Sequence, residues 1–421
     1  MCAQWLDQAS AVIIEVPMAS SSILSGLKVI DCGTFVFGPA ATTVLSDFGA
    51  DVIKIEPPGI GDPYRYLHKM APLPDCEHAY GWILTNRNKR GIVLNLKDEQ
   101  GQGVLRRMIG ETDVFVTNYH PSVLAAFRAT YEELGPLNPR LVYAHASGYG
   151  EIGDEAEKPG YDATAWWARS GLMEAVREAD SVPALCVAAM GDHPSAMTLV
   201  SGILLALLQR ERTGNGTKVS SSLLANGAWA NAFLLQGVFA GAQPFEPVTR
   251  LATPNALVNR YSTRDGRWIL LAMVQEAKDW PRLPAALART DLLTDPRFES
   301  LAARRTNAAA LIGELDAVFA TQDLAHWRET LDRHDITFGL VSRLEDAETD
   351  QQMLDNDILP ELVLADGKRM RTVDSPLSIA GVEKAVLRPA PTPGQHTDEI
   401  LRELSYADDA IARLRHCGAV A

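Results

Sequence analysis

A chain of 421 residues with 47% hydrophobic, 22% charged and 7% aromatic side chains exceeds one ordinary core and has the make-up of a well-packed α/β protein of two or three domains. Its 53 acidic against 39 basic residues leave a net charge of −14, which argues against nucleic acid and membrane as partners and confines any phosphorylated ligand to a local basic pocket. The five cysteines are scattered without a CxxC pair, so reduced thiols and a cytoplasmic setting are expected.

Residues 1–26 hold no Lys or Arg and only a short apolar run, which is unlike a secretory signal and reads as an N-terminal extension. From Leu27 the pattern becomes regular. A strand over 27–33, a helix over 38–50 and a strand over 51–56 form one βαβ unit. A second unit has a strand at 91–96, a helix at 97–112 and a strand at 113–119. A helix over 121–134 and a strand over 141–150 continue the alternation, which predicts a doubly wound parallel sheet with helices on both faces. The longest apolar run, 196–208, falls short of the ~20 residues that span a bilayer and is expected to be a buried core helix. A strand at 217–223 and a helix at 224–239 complete this part, and the polar, Pro-containing stretch 241–256 marks a boundary. Beyond it come a hairpin with an Arg-Asp-Gly turn over 257–273, helices at 307–320 and 323–334, a second Asp-Gly hairpin over 361–373 and a charged helix over 397–415. The expected organisation is an extension at 1–26, a large domain over 27–240 completed by 346–421, and a smaller α+β domain over 245–345.

Several chemistries lack their residues. Glu56 ends the second strand where an acid would grip a ribose, but the preceding loop, GTFVFGPAA, has no G-x-G-x-x-G. The nine histidines form no HExxH, so no metal site is expected, and neither G-x-S-x-G nor a phosphate-binding G-x-x-x-x-G-K-[ST] occurs. Arg87, Lys89, Arg90 and Lys97 cluster in NRNKRGIVLNLK, either as a solvated strand end or as a landing site for phosphates. In AAMGDHPSAM, Asp192 sits at the foot of the oily helix with Pro194 in its first turn, which suits a helix cap.

Taken together, GPAATTVLSDFGADVIKIEPPGIGDPYR, NRNKRGIVLNLK, NPRLVYAHASGYG, PGYDATAWWARSGLM, GDHPSAM and RERTGNGTKVSSSLL resemble the class III CoA-transferases of the formyl-CoA and carnitine type. The likeness runs from residue 27 to the C-terminus, and the spelling is closest to members acting on aryl-lactate, hydroxyacyl and bile-acid CoA esters. The resemblance implies an interlocked, obligate homodimer. It also implies coenzyme A as substrate and product with no tightly bound cofactor, and an acyl-CoA donor with a small carboxylic acid as acceptor. Asp192 becomes the nucleophile, with Gly191 and Tyr161 beside the substrate. The CoA site implied by motif position comprises Val36, Leu94, Lys97, Asn118, Tyr119, Phe127 and Arg128. Ala126 stands where a basic residue is common, so Arg128 is left to meet the phosphates. The glycine-rich loop of oxalate enzymes is missing from LLAMVQEAKDW. The related α-methylacyl-CoA racemases have a His where this chain has Tyr161, so racemisation is the runner-up. A non-catalytic CoA-binding subunit is the other alternative, and the intact Gly191-Asp192 pair argues against it. Trp166, Trp167 and Trp229 are pocket-lining candidates for a bulky acid or, alternatively, plain core.

Overall fold

The computed structural model describes residues 22–421, so the expected extension lies almost wholly outside the described residues. These divide into two compact units. The first runs to Lys158 and includes Asp192–Ser222 and Pro360–Ala421; the second comprises Pro159–Gly191 and Leu223–Leu359.

The first unit is built on six strands: β1 (Lys28–Cys32), β2 (Asp51–Glu56), β3 (Arg90–Val93), β4 (Val114–Thr117), β5 (Val142–Ser147) and β6 (Lys218–Ser222). They lie in the order β3-β2-β1-β4-β5-β6, every neighbouring pair parallel. Helices cover both faces of such a sheet, which is why β4 is buried at every residue and reads as a continuous apolar run. On one face α1 (Phe37–Asp47) packs against the long helix described below. On the other, α3 (Glu99–Ile109), which comes after the short α2 (Tyr80–Asn86) in the chain, packs Val104, Leu105 and Met108 against Ile30, Ile92 and Phe115. The Asp98 carboxylate caps α3 by accepting from Gln100 N–H at 2.9 Å, and Arg106 and Arg107 lie in its last turn, both favourable to the helix dipole. The chain leaves β1 toward β2 and β3, then returns to β4 on the other side. The C-terminal ends of β1 and β4 therefore form the switch point at which such sheets bind ligands.

Two expected helices are broken. The stretch 121–134 ends its first helix, α4 (Pro121–Ala126), where Arg128 turns left-handed at φ +52° and Ala129 N–H reaches back to Leu124 O at 2.9 Å. A new helix, Tyr131–Leu134, then starts on a Thr130–Glu133 capping box. Ser405, at φ +62°, divides the C-terminal stretch into Thr397–Glu403 and Asp408–His416 in the same way. Neither break has a glycine to announce it.

The oily helix, α5 (Asp192–Thr213), is also not wholly core. It buries the stripe Ala196, Leu199, Val200, Ile203 and Ala206 and leaves Leu204, Leu205 and Leu208 exposed. No helix of the described residues is long and apolar enough to cross a membrane.

The second unit carries an antiparallel sheet in which the expected hairpin, β7 (Val258–Ser262) and β8 (Trp268–Ala272), gains β9 (Phe338–Val341) along β8. Helices Ala308–Phe319 and Leu324–Arg333 close its core, where Phe319 stacks on Tyr261 at 5.1 Å and meets Trp327 edge-on at 5.0 Å. This unit is larger than the expected 245–345. The helices at 223–239 pack on the π-helical turn Asp162–Ala168 and on the adjoining Ser170: Asn231 Nδ2 donates to Ser170 O at 3.0 Å, and Gly227 lies directly against the Trp166 backbone. The hairpin β10 (Glu361–Val363) and β11 (Arg369–Arg371) belongs to the first unit.

Candidate active site

At the switch point the first unit has a cleft over the C-terminal ends of β1 to β4, lined by Cys32, Ile55, Leu94, Lys97, Tyr119 and Phe127 among others. Four of the expected CoA residues thus come together. Leu94 is buried and pairs through its backbone with Val420, Lys97 is exposed, and the Tyr119 and Phe127 rings meet edge to face at 5.5 Å. Burial holds the Cys32 thiol up at about 12, so it lines the cleft as a neutral group, and burial likewise raises the Tyr119 hydroxyl. The other expected residues have different placements. Val36 is buried at the start of α1, and Arg128 is exposed beyond the end of α4. Asn118 spends its amide on the loop after β1: Oδ1 accepts from Thr34 N–H and Nδ2 donates to Thr34 O, both at 2.8 Å.

That loop is held by a network of buried charge, of which the sequence reading singled out only Lys89. Asp31 lies at the middle of the network, its Oδ2 2.8 Å from Lys89 Nζ and its Oδ1 3.6 Å from Lys54 Nζ, and all three side chains are fully buried. Burial alone would raise the Asp31 carboxyl, but Lys54 and Lys89 outweigh it and the net direction is down. Lys54 also pairs with Asp62 at 3.1 Å and donates to Gly33 O, while Asp62 Oδ1 accepts from the N–H of Phe35 at 3.2 Å. Phe35 is thereby fixed at φ +57°, a conformation that side-chain-bearing residues rarely adopt.

For three of the four basic residues neither alternative holds, the solvated strand end or the phosphate landing site. Arg87 forks onto Asp47 at 2.7 and 3.1 Å, Lys89 is taken by Asp31, and Arg90 pairs with Asp51, Glu399 and Glu403. Arg87 and Lys89, between α2 and β3, are spent on the buried carboxylates Asp47 and Asp31, Arg90 at the start of β3 is spent on three partly exposed ones, and Lys97 alone of the four is exposed at the cleft. Glu56 is likewise fully buried, forked by Arg65 at 2.6 and 2.7 Å, which leaves it no ribose to hold.

The chain passes from the second unit to the first between Gly191 and Asp192. In the second unit Gly191 is buried, and a Cβ there would stand 2.6 Å from the ring of Trp166, so only glycine fits this close approach. Asp162, which the sequence reading did not select, is nine-tenths buried and accepts from Gly191 N–H at 3.2 Å through Oδ2 and from Ala163 N–H at 2.8 Å through Oδ1. Its place inside PGYD was the available signal. Tyr161 precedes it and is 59% exposed; Trp166 and Trp167 stack at 6.0 Å and are core, whereas Trp229 is exposed. In the first unit Asp192 is half-buried in the first turn of the 22-residue α5, one position inside the cap expected for it. The helix N-terminus carries partial positive charge, which favours an anion and can stabilise a second negative charge developing nearby. Among the described residues no His, Cys, Asp and Glu group is arranged to hold a metal ion.

Comparison with known proteins places this arrangement. Residues 24–397 match CoA-transferase family III. The chain is 31% identical to (R)-2-hydroxy-4-methylpentanoate CoA-transferase of Clostridioides difficile, over 92% of this chain and 97% of that protein. It is 32% identical to cinnamoyl-CoA:phenyllactate CoA-transferase of Clostridium sporogenes, over 94% and 96% respectively. The crystal structure of a CAIB/BAIF family protein from Brucella suis superposes with a TM-score of 0.82 at 27% identity, covering 91% of this chain and all of that one. The chain belongs to CoA-transferase family III and is an enzyme of that class.

Proposed function

We propose that the protein moves coenzyme A from an acyl-CoA donor to a small carboxylic acid, with Asp192 as the covalent carrier. The observation that carries this reading is Asp192 in the first turn of α5, directly after a glycine that tolerates no side chain. An Asp192 oxygen attacks the thioester carbonyl, the C–S bond breaks, and CoA leaves as thiolate with an aspartyl mixed anhydride behind it. The thiolate then attacks the aspartyl carbonyl, releasing the donor's carboxylate and leaving an aspartyl-CoA thioester. The acceptor carboxylate reverses the two steps, so no net proton or water is consumed. Such a nucleophile must be ionised, and a helix N-terminus favours the anion. The cleft at Leu94, Lys97, Tyr119 and Phe127 suits the nucleotide end of CoA: apolar and aromatic walls for the adenine, with the Lys97 ammonium for phosphate. The relatives named for phenyllactate and 2-hydroxy-4-methylpentanoate favour an apolar 2-hydroxy acid as acceptor.

We further infer an obligate, interlocked homodimer in the cytoplasm. Leu205 on α5 is 68% exposed, and Trp229 and Phe233 in the second unit are 81% and 90% exposed, apolar surface that a lone chain leaves in water. Incubation with a panel of acyl-CoAs, hydroxylamine trapping and peptide mass analysis test the mechanism. Modification at Asp192, lost in Asp192→Ala together with turnover, is the expected result. An unmodified peptide with every donor, accompanied by α-proton exchange in heavy water, would replace transfer by racemisation. Sedimentation at twice the chain mass is expected for the assembly.

A further inference from the structure

Three side chains meet beside the end of β4: one on β5, one in the loop that follows β5, and one at the start of β6. His145 on β5 is 3% exposed, with Nδ1 2.5 Å from Glu151 Oε1 and Nε2 3.0 Å from the carbonyl oxygen of Tyr119. Lys218, at the start of β6, reaches the same Glu151 oxygen at 2.9 Å. The hydrogen bond from His145 and the contact with Lys218 hold the Glu151 carboxyl down at about 2 against the opposing effect of its burial. The register neighbours of His145 are Thr117 on β4 and Ser220 on β6, so Glu151 is the charged group that meets the ring, and Lys218 acts on it through Glu151.

The carbonyl gripped by this ring belongs to a residue with a second task. The Tyr119 side chain lines the cleft and meets Phe127, and the preceding Asn118 is clasped to Thr34. We propose that His145 and Glu151 form a positioning pair for the acyl-CoA site: the imidazole, braced by Glu151 and Lys218, fixes the end of β4 so that the Tyr119–Phe127 corner stands preformed for the nucleotide. Neither residue touches the reacting atoms. The inference rests on the reading of this cleft as the CoA site, and its signature is an equal loss of binding in the ground state and the transition state, with the chemical step unchanged.

The test uses the full chain with His145→Ala, His145→Gln and Glu151→Gln. The kcat and KM for an acyl-CoA are measured between pH 6 and 9, and free CoA binding is measured by calorimetry. His145→Ala is expected to raise KM and weaken CoA binding about tenfold while kcat stays within about threefold. His145→Gln, whose amide still donates to Tyr119 O, recovers part of the loss. If His145→Ala and Glu151→Gln lower only the melting temperature and leave KM and CoA binding within twofold of wild type, the pair is structural and the proposal falls. Wild-type protein that binds CoA but transfers none would overturn the transferase reading alone, with the binding comparison still deciding His145. Wild-type protein that binds no CoA would overturn the cleft and this proposal together.

Discussion

Gly191→Ala isolates the geometry beside Asp192, the proposed nucleophile, from its chemistry. The added Cβ would stand 2.6 Å from Cγ and Cδ2 of Trp166 and 2.8 Å from its Cβ. Carbon atoms in contact rest at about 3.5–4.0 Å, so about 1 Å of separation is missing. Trp166 has little room to supply it: the ring is 7% exposed, stacks on Trp167, and its backbone lies against Gly227. The backbone at 191 must therefore move, loosening its 3.2 Å bond to Asp162, and Asp192 is the next residue along the chain. Misplacing a catalytic group by about 1 Å costs on the order of 10² in rate, or about 2.7 kcal/mol of transition-state stabilisation. Overpacking costs about 1–3 kcal/mol of folding stability in addition. The assay is single-turnover formation of the aspartyl adduct at saturating acyl-CoA, run well below the melting temperature of the variant, with thermal unfolding recorded in parallel. Adduct formation within threefold of wild type in a protein of unchanged melting temperature would refute the packing argument.

Asp162→Ala removes the acceptor of Gly191 N–H, and kcat is expected to fall about tenfold with KM little changed, which steady-state kinetics reads directly. Lys97→Ala should raise the KM for acyl-CoA by about three- to tenfold, an effect that shrinks as salt is added because the ammonium is exposed; an equal effect at high salt would place the contribution elsewhere. Lys54→Met leaves Asp31 and Asp62 buried without one of their countercharges and should cost about 3–5 kcal/mol in denaturant unfolding. Acid sensitivity arises from carboxyls held low in the folded chain, Asp31 by Lys54 and Lys89 against its burial and Glu151 at about 2 by its bonds to His145 and Lys218. The unfolded chain binds the extra protons, so their stabilisation is complete above the ordinary carboxyl range near pH 4 and is lost as pH falls toward about 2. Urea midpoints at pH 5, 4 and 3 should decline in that order.

The sheet was legible because its strands are short and each is separated from the next by a helical pattern, and β1 to β6 fall within a few residues of their expected positions. The helix breaks at Arg128 and Ser405 were not legible, since each turns left-handed without the glycine that normally signals it. The basic run at 87–90 was misread for a related reason: a cluster of charge looks the same in sequence whether it faces water or a buried carboxylate 40 to 58 residues away, and Asp47 and Asp31 are such partners. Lys54, set between Ile53 and Ile55 inside the strand DVIKIE, was the visible hint that this sheet carries internal charge. Asp162 escaped notice because its bond to Gly191 spans 29 residues.

The amino-acid sequence by itself determined the alternation of strands and helices, the position of Asp192 at the foot of a long helix and the family, because hydrophobic period, turn residues and ordered motifs are local properties. Only the tertiary structure decided which charges are spent inside the molecule, which residues of the CoA motif meet in one cleft, and why residue 191 must lack a side chain. Those depend on distances between segments remote in the chain, and burial makes such distances count: a lysine or a methyl group that is harmless in water becomes costly where no water and no free volume remain.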